Sequence, residues 1–165
     1  MLNIPPLVKS CLLAAALALT GTGLSAQEFK AGDLRITQPW TRATPTGAKT
    51  AAGYLKITNS GKEADTLVNA SSDGAEVVEV HEMAMKDSVM TMRRREKGVE
   101  IKPGQTVELK PGSFHLMMSG VKAPFEKGKV IKGTLTFAKA GTVAVEFKVE
   151  GPGGPASKKS DHSGH

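Results

Sequence analysis

The stretch VHEMAMKDSVMTMRRR, residues 80–95, packs one histidine and four methionines into the interval from His81 to Met92. Further on, FHLMMS (114–119) adds His115, Met117 and Met118. Every methionine except Met1 lies between His81 and Met118, while the other apolar segments use Val, Leu, Ile and Phe. Core filler would be spread more evenly, so the clustering marks a site. On a strand, residues two apart leave the same face. His115 and Met117 therefore share a face, as do Met90 with Met92, and His81 with Met83 and Met85. Antiparallel pairing of the segments around 81 and 92, turning near Lys86–Asp87, would bring His81 close to Met90 or Met92. A third segment carrying His115 and Met117 then completes a pocket of two imidazoles and two thioethers.

Thioether is soft and neutral and imidazole is borderline, a combination that suits Cu(I). Zinc sites favour thiolate, imidazole and carboxylate. Calcium and magnesium take oxygen ligands, which the cluster does not offer. The candidate Cu(I) ligands are His81, Met92, His115 and Met117. Met85 and Met118 are expected to pack, and Met83 and Met90 to shield the site or assist in ligation.

Strands must position these side chains. Candidate strands are LRITQ (34–38), AAGYLKIT (51–58), TLVNA (66–70), AEVVEVHE (75–82), VMTMRR (89–94), TVELK (106–110), FHLMMS (114–119), VIKGTLTFA (130–138) and TVAVEFKVE (142–150). In the last, Val143, Val145, Phe147 and Val149 alternate with polar or small residues, the period of a strand with one buried face. NSGK (59–62), SSDG (71–74), KPG (102–104 and 110–112) and KAG (139–141) supply turns. No long helical period is present. The pattern is that of an all-β antiparallel sandwich or barrel.

The ends differ from the middle. Lys9 precedes an uncharged run from Cys11 to Ala26, the pattern of a secretory signal peptide, so residues 1–26 are expected to be removed, with cleavage after Ala26 or, alternatively, Ser25. The sole cysteine, Cys11, would leave with them. It precedes the apolar run and so does not look like a lipid-attachment cysteine. What remains has 21 basic and 16 acidic side chains, a net charge of +5, and no thiol. The expected compartment is an oxidising one outside the cytoplasm. Residues 27–150 form the expected β-domain, and GPGGPASKKSDHSGH (151–165) a flexible tail. Within it, His162 and His165 stand beside Asp161, an N,O donor set suited to a weaker Cu(II) site.

The chain resembles the periplasmic copper chaperones of the PCuAC type. The resemblance is carried by ITQPWTRATPTGAKTAAGYLKITNSG (36–61), ADTL (64–67), VHEMAMKDSVMTMR (80–93), LKPGSFHLMM (109–118) and GTLTFAKAG (133–141). It implies a cupredoxin-like Greek-key sandwich in which His81, Met92, His115 and Met117 bind Cu(I). Between Met92 and His115 lie 22 residues, one more than the family's pattern, an excess expected in a turn at KGVE (97–100). The resemblance further implies delivery of copper towards the binuclear centre of cytochrome oxidase, with an oxidase subunit or another copper chaperone as acceptor.

Other classes compete. A blue-copper redox site needs a cysteine thiolate, absent beyond residue 26. Copper storage or resistance, or a metal-free interaction sandwich with core methionines, would use the same residues differently. No Ser-His-Asp or Cys-His set points to an enzyme, and no small-molecule substrate is expected. Basic and aromatic residues are not interleaved as in nucleic-acid binders. The protein is expected to be a monomer. Arg93, Arg94 and Arg95 read as a solvated face or as a steering patch for an acidic partner.

Overall fold

The computed structural model describes residues 27–155. Among these residues there is no helix, and eleven strands run in chain order. They are β1 (Glu28–Ala31), β2 (Leu34–Arg42), β3 (Thr50–Asn59), β4 (Asp65–Ser72), β5 (Val77–Lys86), β6 (Val89–Arg94), β7 (Val99–Ile101), β8 (Thr106–Leu109), β9 (Phe114–Ser119), β10 (Val130–Phe137) and β11 (Gly141–Glu150). The hydrogen-bonded order is β6-β5-β9-β3-β2-β11-β10-β4-β7, with β1 added to β2 and β8 to β3. All pairings are antiparallel except one, as the sandwich reading expects. The exception is β11 alongside β2, which runs parallel from Lys148↔Trp40 to Glu150↔Arg42 and makes the sheet mixed.

The ladder closes over one core because two strands serve both halves of it. The first half of β2 (Leu34 to Thr37) pairs with β1, and its second half, beyond an irregularity after Thr37, pairs with β11. Gln38 takes φ 52° at that break, the local kink a bulge produces. Strand β3 divides in the same way, Leu55–Thr58 pairing with β8 and Thr50–Gly53 with β9. Ile36, Leu55, Ile57, Leu67, Leu116, Leu135 and Phe147 come from both halves and are almost fully buried in one cluster.

Two strands escaped the sequence reading. EFKA in β1 is too short to show alternation, and β7 occupies part of the KGVE segment expected to be a turn. The turn itself is confined to Arg95–Gly98, where the Gly98 amide donates to the Arg95 carbonyl. Gly98 has φ 76°, and a Cβ there would run into the Leu67 carbonyl. Val99 and Ile101 then turn inward against β4, so their burial converts the rest of KGVE to strand.

Candidate metal centre

Strand β9 alternates as HLMM predicts. Leu116 and Met118 enter the core with no exposed surface, while His115 and Met117 emerge on the other face. On β5, Val78 and Val80 pack inward and Glu79, His81 and Met83 share the opposite face. Residues directly opposed across an antiparallel pair project together. His81 opposes His115, and Glu79 opposes Met117. On the other flank of β5, β6 places Arg94 opposite His81, Met92 opposite Met83 and Met90 opposite Met85. The face therefore has four rows: Glu79 with Met117; Arg94, His81 and His115; Met92 with Met83; and Met90 with Met85.

All four expected ligands lie on this one face, but not in the expected register. The hairpin turns at Asp87–Ser88, both with left-handed backbone (φ 49° and 64°), one residue later than Lys86–Asp87. Positive φ suits Asp far better than Lys, so the later turn is favoured. That shift of one residue at the turn moves the pairing by two, keeping every side chain on its face. It replaces Met92 by Arg94 opposite His81. Met92 becomes a diagonal neighbour of His81, at about 7–8 Å between Cα positions, and is separated from His115 by the width of β5. Met83 stands one row from both imidazoles. Met118 packs in the core as expected. Met85 does not pack: it is 65% exposed because β5 runs past the core's edge as a free hairpin.

The two imidazole rings lie with centroids 5.8 Å apart and planes inclined at 50°. Each is held by one nitrogen. His115 Nδ1 donates to the Ser113 carbonyl at 3.3 Å, which leaves the Nε2 lone pair free. His81 Nε2 donates to Glu79 Oε2 at 3.0 Å, and Glu79 Oε1 accepts from Arg94 at 2.9 Å. His81 Nδ1 is then a buried lone pair with no hydrogen-bond partner. A buried polar atom left unpaired costs about 1–3 kcal/mol, and a lone pair in that position is a donor suited to a metal ion. Burial holds the His115 imidazole below the ordinary histidine value, with the Ser113 carbonyl opposing and His81 adding to the depression. Glu79 is held below the ordinary carboxylate value, chiefly by the His81 hydrogen bond and also by Arg94. A neutral imidazole is the form that metal ligation requires, and the charged carboxylate is the form that accepts from His81 Nε2.

Among the described residues, no three His, Cys, Asp or Glu side chains are grouped to hold a metal. The donors that share this face are two histidines plus thioethers, a set that suits a soft monovalent ion rather than zinc, calcium or magnesium. Glu79 escaped the sequence reading; its signal was the Glu-X-His spacing of VEVH, which puts it on the face of His81. The arginine run is only partly free. Arg94 is engaged by Glu79, and Arg95 by Glu82 at 3.1 Å and by the Phe114 ring at 5.9 Å. Trp40 leans on Tyr54 with centroids 4.5 Å apart on the interior strand β2. His162 and His165 lie outside the described residues, as do residues 1–26.

The family described as "Putative lipoprotein LpqE-like" matches residues 34–149, the span from β2 to β11. The chain belongs to this LpqE-like family. A relative, "Putative lipoprotein Lxx21020" of Leifsonia xyli subsp. xyli (strain CTCB07), is 34% identical over 121 residues, covering 73% of this chain and 72% of that protein. Two solved structures share the fold. The apo PCuAC domain from PmoF1 is 28% identical with a TM-score of 0.65, over 76% of this chain and all of that one. The copper-bound PCuAC domain from PmoF2 is 27% identical with a TM-score of 0.66, over 76% of this chain and 99% of that one. The LpqE-like chain thus has the cupredoxin-like β fold of the PCuAC domains, as its sequence motifs imply.

Proposed function

We propose that the protein is an exported copper chaperone that carries one Cu(I) and hands it to an acceptor protein. The observation that carries this reading is the facing pair His81 and His115. Each ring is fixed through one nitrogen, and the other nitrogen is left as a lone pair, that of His81 buried and unpartnered. The likeness to a PCuAC domain solved with copper supports the same metal. In this reading the ligands are His81 Nδ1, His115 Nε2, Met117 and Met92, the last reaching diagonally across from β6. Copper is cargo here and the protein a carrier, not an enzyme. All four ligands are neutral, so the ion keeps its charge and is released by ligand exchange with softer or more numerous donors.

Export fits the signal pattern of residues 1–26, with the β-domain of 27–150 working in the periplasm and residues 151–165 as its tail. The proposed acceptor is an oxidase subunit bearing the binuclear copper centre, or another copper chaperone, as the resemblance of the sequence motifs to the PCuAC chaperones implies. The tail residues His162 and His165 would take Cu(II) as a weaker auxiliary site. Unchanged Cu(II) affinity after deletion of 151–165 would remove them from the proposal.

The deciding experiment is anaerobic Cu(I) titration against a competing chelator, comparing the protein with a Met92→Ala, Met117→Ala variant. One-to-one binding that is lost in the variant is expected. Equal binding by both proteins would dismiss the thioethers as ligands and overturn the reading.

A further inference from the structure

We infer that the β5–β6 hairpin carries a second soft-metal site, formed by Met85 and Met90, from which Cu(I) passes over Met83 and Met92 to the histidine pair. The inference rests on the proposed role of that pair and extends its face outward. Met85 opposes Met90, and Met83 opposes Met92, in adjacent rows on the face that holds His81 and His115. Opposed Cβ atoms stand about 4.5–5.5 Å apart, a separation that lets two flexible thioether arms close on one ion. Successive rows on a face are two residues apart, about 6.7 Å along the strand. The outer rung is thus two such steps from the imidazoles, with the Met83–Met92 rung midway.

Packing does not account for these side chains. Met85 is 65% exposed, Met92 50% and Met90 47%, on a hairpin whose outer strand, β6, is the edge of the sheet. Their sulfur is confined to one face. The opposite face carries Glu82, Ala84 and Lys86 on β5, and Val89, Thr91 and Arg93 on β6. The two-residue turn with left-handed Asp87 and Ser88 has the backbone of a type I′ hairpin, which fixes the register and so keeps the methionines opposed. A thioether ligand has no proton to lose, so capture at the outer rung is independent of pH. Two thioethers alone bind more weakly than a set including imidazole, and this difference directs the ion inward.

The ligand class is a soft monovalent d10 cation, and Ag(I) serves as a redox-inert probe beside Cu(I). The test uses the protein as purified from cells, labelled with 13C at the methionine methyls, together with a Met85→Leu, Met90→Leu variant. Leucine keeps the apolar surface and removes only the sulfur. In the unsubstituted protein, the first equivalent of Ag(I) is expected to shift the Met117 and Met92 methyls. The next is expected to shift those of Met85 and Met90 together. The variant should keep the first phase, lose the second, and load Cu(I) from a chelator several-fold more slowly. Met85 and Met90 methyls that stay unmoved in excess Ag(I) would overturn the inference and leave the hairpin as an apolar protein-docking face. Movement of Met85 and Met90 with Met117 unaffected would keep the outer site and sink the histidine reading instead.

Discussion

Glu79 offers the sharpest test of how the site is built, because it should bind no metal and yet govern affinity. Its carboxylate spans two groups of the second row, accepting from His81 Nε2 at 3.0 Å and from Arg94 at 2.9 Å. By holding the proton on Nε2 it leaves Nδ1 with the lone pair that the proposed site needs, and it fixes the orientation of the ring. Outer partners of ligating histidines typically contribute 10–100-fold to metal affinity. Glu79→Ala is therefore expected to weaken Cu(I) binding by about 10–100-fold. Little change in folding is expected, since the side chain is on the face opposite the buried Val78 and Val80. Arg94→Ala removes only the support of Glu79, so its effect should be smaller. Chelator competition under anaerobic conditions gives the affinities, and thermal melting of the apo forms gives the folding control. The hydrogen bond to His81 and the charge of Arg94 keep Glu79 ionised into the acid range, so its contribution should not fade between pH 8 and about pH 6. An affinity unchanged within threefold, with the fold intact, would refute the argument that the carboxylate sets the histidine.

Two further outcomes follow from β9. His115 is depressed below the ordinary histidine value in the folded protein, so in the window below about pH 6.5 the unfolded chain binds more protons than the folded one. Apo stability is then fully present above that window and falls as pH drops through it, towards the depressed folded value; urea midpoints at two pH values, flattened by His115→Gln, check the sign. Met117 and Met118 are neighbours in sequence on opposite faces, and their substitutions should separate. Met118→Ala is expected to cost about 2–5 kcal/mol of stability with copper affinity retained in the folded fraction. Met117→Leu should leave stability within about 1.5 kcal/mol and weaken copper binding.

What could be read in the sequence, and what could not, follows from how local each signal is. Alternation in HLMM and TVAVEFKVE depends only on the period of a strand, and both segments place the expected residues inward. That the candidate ligands share a face was legible for the same reason: parity survives any two-residue slip, so His81, Met92, His115 and Met117 had to emerge together once β5, β6 and β9 paired. Register was not legible to that precision. It depends on which two residues take left-handed backbone in the hairpin, and moving the turn from Lys86–Asp87 to Asp87–Ser88 exchanges Met92 for Arg94 beside His81. Exposure was hidden too, because a methionine reads alike whether its strand continues under the core or projects beyond it; Met118 and Met85 differ only in that respect. The parallel contact of β11 with β2 joins segments far apart in the sequence, and no local pattern encodes it. These limits bear on chemistry. Parity selects which residues can meet a metal, and register decides which does so first. That is why Met83, one row from both imidazoles, is the thioether whose part in ligation the register brings forward, and why the methyl shifts of Met83 and Met92 should be read separately when the first equivalent binds.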